Sequence, residues 1–139
     1  SDLHPATDNV VLHVRVGDSS GIDSGSSDYA YHTSRVNQET TTYTATISES
    51  AAQIVIGHQI GNNTGEGIGV VMYLTGPSDS IMRPVLNGTF ANILEYPRVL
   101  GGTICAQRTA VITTDRVQVL FSSGNIASGR LSVWGIAHA

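Results

Sequence analysis

Several segments of this chain carry apolar residues at every second position, and clusters of turn-forming residues separate the segments about every ten residues. The clearest case is residues 115–121, where Val117, Val119 and Phe121 would lie on one side of an extended chain. A period of two is that of a half-buried β-strand. No segment carries a helical period with capping residues at its ends. The pattern therefore predicts an all-β protein.

The turn signals divide the chain into about eight to ten short strands, which is typical of an antiparallel β-sandwich and here predicts a jelly-roll-like one. The predicted strands are residues 10–16, 29–36, 41–48, 53–57, 68–74, 82–94, 103–109, 115–121 and 130–137. Residues 53–57 and 68–74 are continuously apolar, so both are expected to be buried on both sides. Pro84 and Asn87-Gly88 leave open whether 82–94 is one bent strand or two.

Composition limits the classes of function. The 139 residues suffice for one domain, and 13% of them are charged against a usual quarter. The net charge is -4, so we predict neither a nucleic-acid partner nor docking to anionic lipid by charge. No apolar run is long enough to span a membrane, so no membrane insertion is predicted. The single cysteine, Cys105, has apolar neighbours and is expected to be a small core residue.

Four sequence motifs occur in a fixed order: PATDN at residues 5–9, GSSDYAY at 25–31, GNNTGEG at 61–67 and SSGNIASG at 122–129. The last is predicted to be a turn, and WGI follows it at 134–136. Together these motifs resemble the C-terminal β-sandwich domains of tail fibres and tailspikes of tailed bacteriophages. The resemblance covers residues 5–137. In such domains an apolar strand precedes the first motif, whereas only SDLH precedes it here. We therefore interpret residues 1–139 as a single C-terminal domain cut from a longer protein.

The resemblance implies a domain of the virion that acts at the bacterial cell surface as a receptor-binding module. The implied partners are host polysaccharide or lipopolysaccharide and two further copies of the chain, in a homotrimer. A trimer would raise the avidity of weak glycan sites. The alternative is a purely structural trimerisation or folding cap without a ligand. If the parent tailspike depolymerises polysaccharide, its catalytic residues are expected upstream of this domain.

No catalytic residue and no cofactor are predicted. The eleven Asp and Glu residues include no pair that a motif selects, as a glycoside hydrolase would require. No Gly-x-Ser-x-Gly is placed as a nucleophile elbow, and the glycine-rich segments do not lie between a strand and a helix as a phosphate loop does. We therefore predict that this chain is not an enzyme.

Five residues are the candidates for glycan contact, because sugars pack on aromatic rings and bond to polar neighbours. Tyr29 and Tyr31 are predicted to share a strand face beside Asp28. Trp134 and Arg130 are predicted to share a face of the last strand. Each aromatic ring is equally suited to core packing, and Trp134 also to contact with a neighbouring subunit.

No metal site is predicted, with one question left open. Asp18, Asp23 and Asp28 lie in one loop and could converge on a calcium ion, but they lack the spacing of an EF-hand. The same residues are typical of turns in which the side chain bonds to its own backbone. The five histidines show no zinc-binding spacing.

Overall fold

A computed structural model of the protein describes residues 2–38 and 42–136. Within these ranges the chain is all-β, with no helix and eleven strands. The strands are β1 (Asp2–Pro5), β2 (Val10–Asp18), β3 (Gly21–Ile22), β4 (Tyr29–Asn37), β5 (Tyr43–Ala51), β6 (Ile54–Ile60), β7 (Gly67–Thr75), β8 (Val85–Ile93), β9 (Val99–Arg108), β10 (Arg116–Phe121) and β11 (Ile126–Arg130). Over the same residues, the structure has no helix that could span a membrane.

The strands form two antiparallel sheets. The large sheet has seven strands in the order β11-β1-β7-β8-β9-β4-β5. The small sheet has four strands: β10 pairs with one edge of β2, and β6 and the short β3 pair with the other. Side chains of both sheets meet in one hydrophobic core. This arrangement confirms the predicted all-β fold with sandwich-like packing.

The core depends on the alternation read from the sequence. Strand β2 buries Val10, Leu12, Val14 and Val16, none of them more than 2% exposed. From the large sheet, the residues that meet this row include Val70, Leu86, Phe90, Leu100 and Ile104. The removal of this apolar surface from water is the main favourable term in folding.

Side-chain hydrogen bonds also join the two sheets. The hydroxyl of Tyr29, in β4, donates to the carbonyl of Val16 at 2.9 Å and accepts from its N–H at 2.8 Å. The hydroxyl of Thr33 donates to the carbonyl of Val55, in β6, at 2.8 Å. Tyr29 and Thr33 are both buried, so these bonds satisfy polar groups that would otherwise be costly in the core.

Most predicted strands are present, and the open question about residues 82–94 is resolved. Strand β8 is a single strand that begins directly after Pro84, and Asn87-Gly88 lies inside it rather than in a turn. The predicted strand 41–48 corresponds to β5, which begins at Tyr43; residue 41 lies outside the described residues.

The prediction that residues 68–74 are buried on both sides was wrong. In β7, Ile68 and Val70 face the core, whereas Val71 and Tyr73 are more than half exposed. The small sheet covers only one face of the large sheet, so alternate residues of β7 lie on an uncovered face. Strand β6 departs less from the prediction, since Val55 is half-buried.

The end of the chain also differs from the prediction. The predicted turn at 122–129 contains most of β11, which pairs with β1 and places Arg130 opposite Asp2. Gly129 allows this pairing, because a Cβ atom there would lie 2.2 Å from the carbonyl oxygen of Asp2. Residues 131–136 of the predicted last strand form no strand, and residue 137 lies outside the described residues.

Candidate functional site

The uncovered face of the large sheet is the candidate functional surface, and we call it the outer face. It consists of three rows of five residues, each row crossing β7, β8, β9, β4 and β5 in register. The rows are Tyr73, Asn87, Cys105, His32 and Ile47; Val71, Thr89, Thr103, Ser34 and Ala45; and Gly69, Ala91, Gly101, Val36 and Tyr43. None of these fifteen residues is Asp, Glu, Lys or Arg, but the third row continues from Gly69 to Asp2 of β1 and Arg130 of β11, which are charged.

The outer face exposes large apolar and aromatic side chains. The exposed fractions range from 48% for Val36 to 70% for Ile47, with Val71, Tyr43 and Tyr73 between them. The remaining positions are mainly small or hydroxyl-bearing, so the surface is smooth. At usual strand and residue spacings, the three rows cover about 500 Å². The large apolar side chains lie on β7 and on β4 and β5, and small or polar residues of β8 and β9 separate them; exposed apolar groups of this number on one sheet face are typical of an interaction surface.

Cys105 lies in the first row of the outer face, on its middle strand β9, and is exposed, so its prediction as a core residue was wrong. The reason is the sidedness of β9. Ile104 and Ala106 are buried, and the residue between them must point to the opposite face. The apolar neighbours in sequence did not indicate which side they faced.

A groove of about 300 Å³ borders the outer face where β1 meets β7. The side chains lining it include the apolar Ile93 and Val99 and the polar Asp2, His4 and Glu66. Apolar residues beside a few polar groups are the usual composition of a small-ligand site. Sequence reasoning missed this groove because β1, which supplies Asp2 and His4, was not predicted.

The polar side of the groove is held by the turn that contains the third motif. The carboxylate of Glu66 accepts a hydrogen bond from the backbone N–H of Asn63 at 2.7 Å. The ring Nε2 of His4 lies 3.2 Å from the carbonyl oxygen of Asn63. Glu66 therefore closes its own turn, and the contact of His4 with Asn63 joins β1 to that turn at the mouth of the groove.

Tyr29 and Tyr31 do not form the predicted exposed platform. Tyr29 is 0% exposed, so its ring offers no face to a ligand, and this prediction is corrected. Burial raises the pKa of the Tyr29 phenol, which is consistent with its place among core residues. Tyr31 is half-buried and packs against the core, and burial raises its pKa as well.

Asp28 and Asp23 both pair with Arg108. The Nε of Arg108 lies 2.7 Å from a carboxylate oxygen of Asp23, and a terminal nitrogen lies 3.1 Å from one of Asp28. The other oxygen of Asp28 accepts the backbone N–H of Gly25 at 2.6 Å. Asp28 is thus occupied by contacts within the chain, and an arginine supplies the positive charge that a calcium ion would bring to this loop.

Asp18 stays apart from that cluster. Its carboxylate accepts bonds from the backbone N–H of Ser20 at 2.8 Å and from its hydroxyl at 2.6 Å. These bonds hold the pKa of Asp18 below its ordinary value. Across residues 2–38 and 42–136, no three His, Cys, Asp or Glu side chains are grouped so that they could hold a metal ion.

Arg130 and Trp134 lie at the other end of the large sheet. Arg130 ends β11, the edge strand, whereas Tyr29 begins β4, five strands away in the sheet order. At about 4.8 Å per strand that separation is about 24 Å. Trp134 is exposed in the segment that follows β11. The five predicted contact residues therefore do not form one site.

The surroundings of two histidines lower their pKa values. Partial burial, followed by the positive charge of Arg15, lowers the pKa of His13 on the outer side of the small sheet. Partial burial, followed by the charge of Arg35, lowers the pKa of His58. Neither histidine is linked by these contacts to a nucleophile.

Comparison with known proteins finds no matching family model, no similar curated protein and no similar solved structure.

The pairing of Arg108 predicts a strong effect on stability. Replacement by glutamine, Arg108→Gln, should lower the free energy of unfolding by about 3 kcal/mol, because it leaves two largely buried carboxylates without a countercharge. Urea denaturation followed by circular dichroism would measure it. Arg116→Gln is the matched control, since Arg116 pairs with Asp115 at the exposed surface and should give little change. Equal effects of the two substitutions would contradict this account of the loop.

Proposed function

We propose that this chain is a non-catalytic terminal module of a phage tail fibre or tailspike, and that its main role is assembly with further copies of itself. The observation that supports this proposal is the outer face, whose fifteen positions on β7, β8, β9, β4 and β5 carry no charged side chain and are not covered by residues 2–38 and 42–136. The four ordered motifs are consistent with such a parent protein. A homotrimer is the assembly that their resemblance implies.

Several properties of the outer face favour a second copy of the chain as its partner. Two such faces would bury about 1,000 Å² in total, which is the lower bound for a specific interface. The absence of charged side chains removes like-charge repulsion, which would otherwise oppose contact between identical surfaces. The threonine and serine hydroxyls can bond to a neighbour or to trapped water.

Closed symmetry would stop this association at a defined number of copies. Identical contacts arranged head to tail generate a ring when the rotation closes. In a threefold ring with the outer faces turned toward the axis, one part of each face contacts one neighbour and another part contacts the other, so no copy keeps an uncovered outer face. The folding-cap alternative requires the same apolar face, so the outer face supports assembly whether or not a glycan is bound.

If the copies assemble through the outer face, a single charged side chain placed there should strongly weaken their self-association. Ile47→Glu should weaken self-association by at least about tenfold, because it would place an unpaired carboxylate in a closed interface. Sedimentation velocity over a range of protein concentrations would measure it. The fold should persist, since Ile47 is 70% exposed.

The matched control is Ile81→Glu. Ile81 is also strongly exposed but lies in the loop between β7 and β8, away from the outer face. This variant should assemble like the unmodified chain. Equal behaviour of the two variants would contradict assembly through the outer face.

Attachment to a host glycan is a second candidate function, and the groove is the observation that favours it. Its apolar side chains suit the non-polar face of a sugar ring, and Asp2 can accept bonds from sugar hydroxyls. The place of binding thus moves from the predicted Tyr29 region to the junction of β1 and β7.

A bacterial glycan array tests attachment separately from assembly. We expect a host polysaccharide or lipopolysaccharide glycan to bind the unmodified chain and the control Glu49→Ala, and to lose at least about tenfold in affinity with Asp2→Ala. Binding to no glycan, or equal binding by both variants, would overturn attachment through the groove while leaving the assembly proposal intact.

A further inference from the structure

The segment of residues 131–136, which we call the arm, carries an unusual amount of exposed apolar surface. It follows β11 and pairs with no strand of the described chain. Its four large apolar side chains are Leu131, Val133, Trp134 and Ile136, and their exposed fractions run from 49% to 86%. In an extended chain Leu131 and Val133 fall on one side and Trp134 and Ile136 on the other. The arm thus has apolar groups to bury on both sides.

The arm does not bury these groups on its own chain. No arm residue lines the groove or the depression beside it. A strand is predicted there because the segment is rich in β-branched and aromatic side chains. A segment with an apolar pattern and no partner within its chain is suited to a neighbouring molecule.

The outer face offers a place of matching shape. Its third row places Gly69, Ala91 and Gly101 side by side on β7, β8 and β9. These residues have little or no side chain, so they form a shallow trough that Val71 and Thr89 border on one side. The groove and a second depression of about 320 Å³ both contain Gly69 and Ala91, so the trough continues the groove.

The dimensions of the arm and the trough agree. From β1 to β9 the trough crosses three gaps between strands, or about 14 Å at 4.8 Å each. Six extended residues span about 20 Å at 3.3 Å each, which is sufficient to cross it. The floor of glycine and alanine leaves room for the ring of Trp134.

We propose that the arm of one copy lies in the trough of a neighbouring copy, with Trp134 covering Gly69 and Ala91. The proposal rests on the proposed self-association and deepens it by naming the contact. The arm and the trough are different surfaces, so the contact is head to tail and can close into a ring. A sugar in the groove and an arm in the trough would compete at Gly69 and Ala91.

Trp134 is the only tryptophan of the chain and therefore reports on the arm alone. Its fluorescence emission should shift to shorter wavelength as protein concentration rises, in parallel with the mass measured by sedimentation. The shift should follow assembly because an exposed indole becomes buried in an apolar contact.

Two variants locate the contact. Ala91→Arg places a long charged side chain in the trough and should abolish the emission shift, with at least about tenfold weaker assembly. Ala110→Arg is the matched control, because Ala110 is exposed in the loop after β9, and it should behave like the unmodified chain. Circular dichroism would show that both variants fold.

Each of the other possible results overturns one part of the proposed arm contact. Assembly without an emission shift would overturn the arm contact and leave self-association standing. A blue-shifted emission that does not change with concentration would place the arm on its own chain and overturn the proposal that it lies on a neighbouring copy. A concentration-dependent shift that survives Ala91→Arg would place the arm outside the trough and overturn the proposed contact. Absence of assembly at every concentration would overturn both this inference and the proposed assembly function.

Discussion

The packing of the four-stranded sheet against one face of the seven-stranded sheet determines the rest of this structure. It buries the alternating row of β2 against the large sheet, and the hydroxyl of Tyr29 fixes the contact by bonding to both polar backbone groups of Val16. The packing is one-sided, however, so the large sheet keeps an opposite face with no cover from its own chain. The proposed assembly and the proposed arm contact both follow from that uncovered face.

Sequence patterns predicted the parts of the fold that depend on local alternation. Strands β2 and β4 lie close to where they were expected, because a half-buried strand carries its sidedness in its own residues. Strand β7 shows the limit of this reasoning. Its continuous apolar run is compatible with burial on both sides, and only the position of the second sheet decides that Val71 and Tyr73 are exposed. Cys105 was assigned to the wrong side for the same reason.

The candidate sites were harder to predict, because they depend on pairings between distant parts of the chain. The groove requires Asp2 to lie beside Gly69. The four residues of β1 are too few to carry a pattern that predicts this pairing. Of the three loop aspartates that were considered together, Asp23 and Asp28 do meet, whereas Asp18 does not, and their partner, Arg108, lies at the end of β9. Spacing in sequence could not distinguish a metal ion from an arginine as the source of positive charge. The predicted strand at 130–137 was wrong for residues 131–136, because β-branched and aromatic composition does not show whether a segment has a strand to pair with.

The most direct test of assembly through the outer face uses the single cysteine, which lies in the first row of that face on the middle strand β9. The rate of alkylation of Cys105 by a maleimide should be high in dilute protein, because the thiol is exposed in the separate chain. It should fall by at least about tenfold at concentrations where sedimentation shows assembly, since a closed interface excludes the reagent. A rate that stays constant while the chain assembles would contradict the central claim, because it would show that the copies meet through another surface.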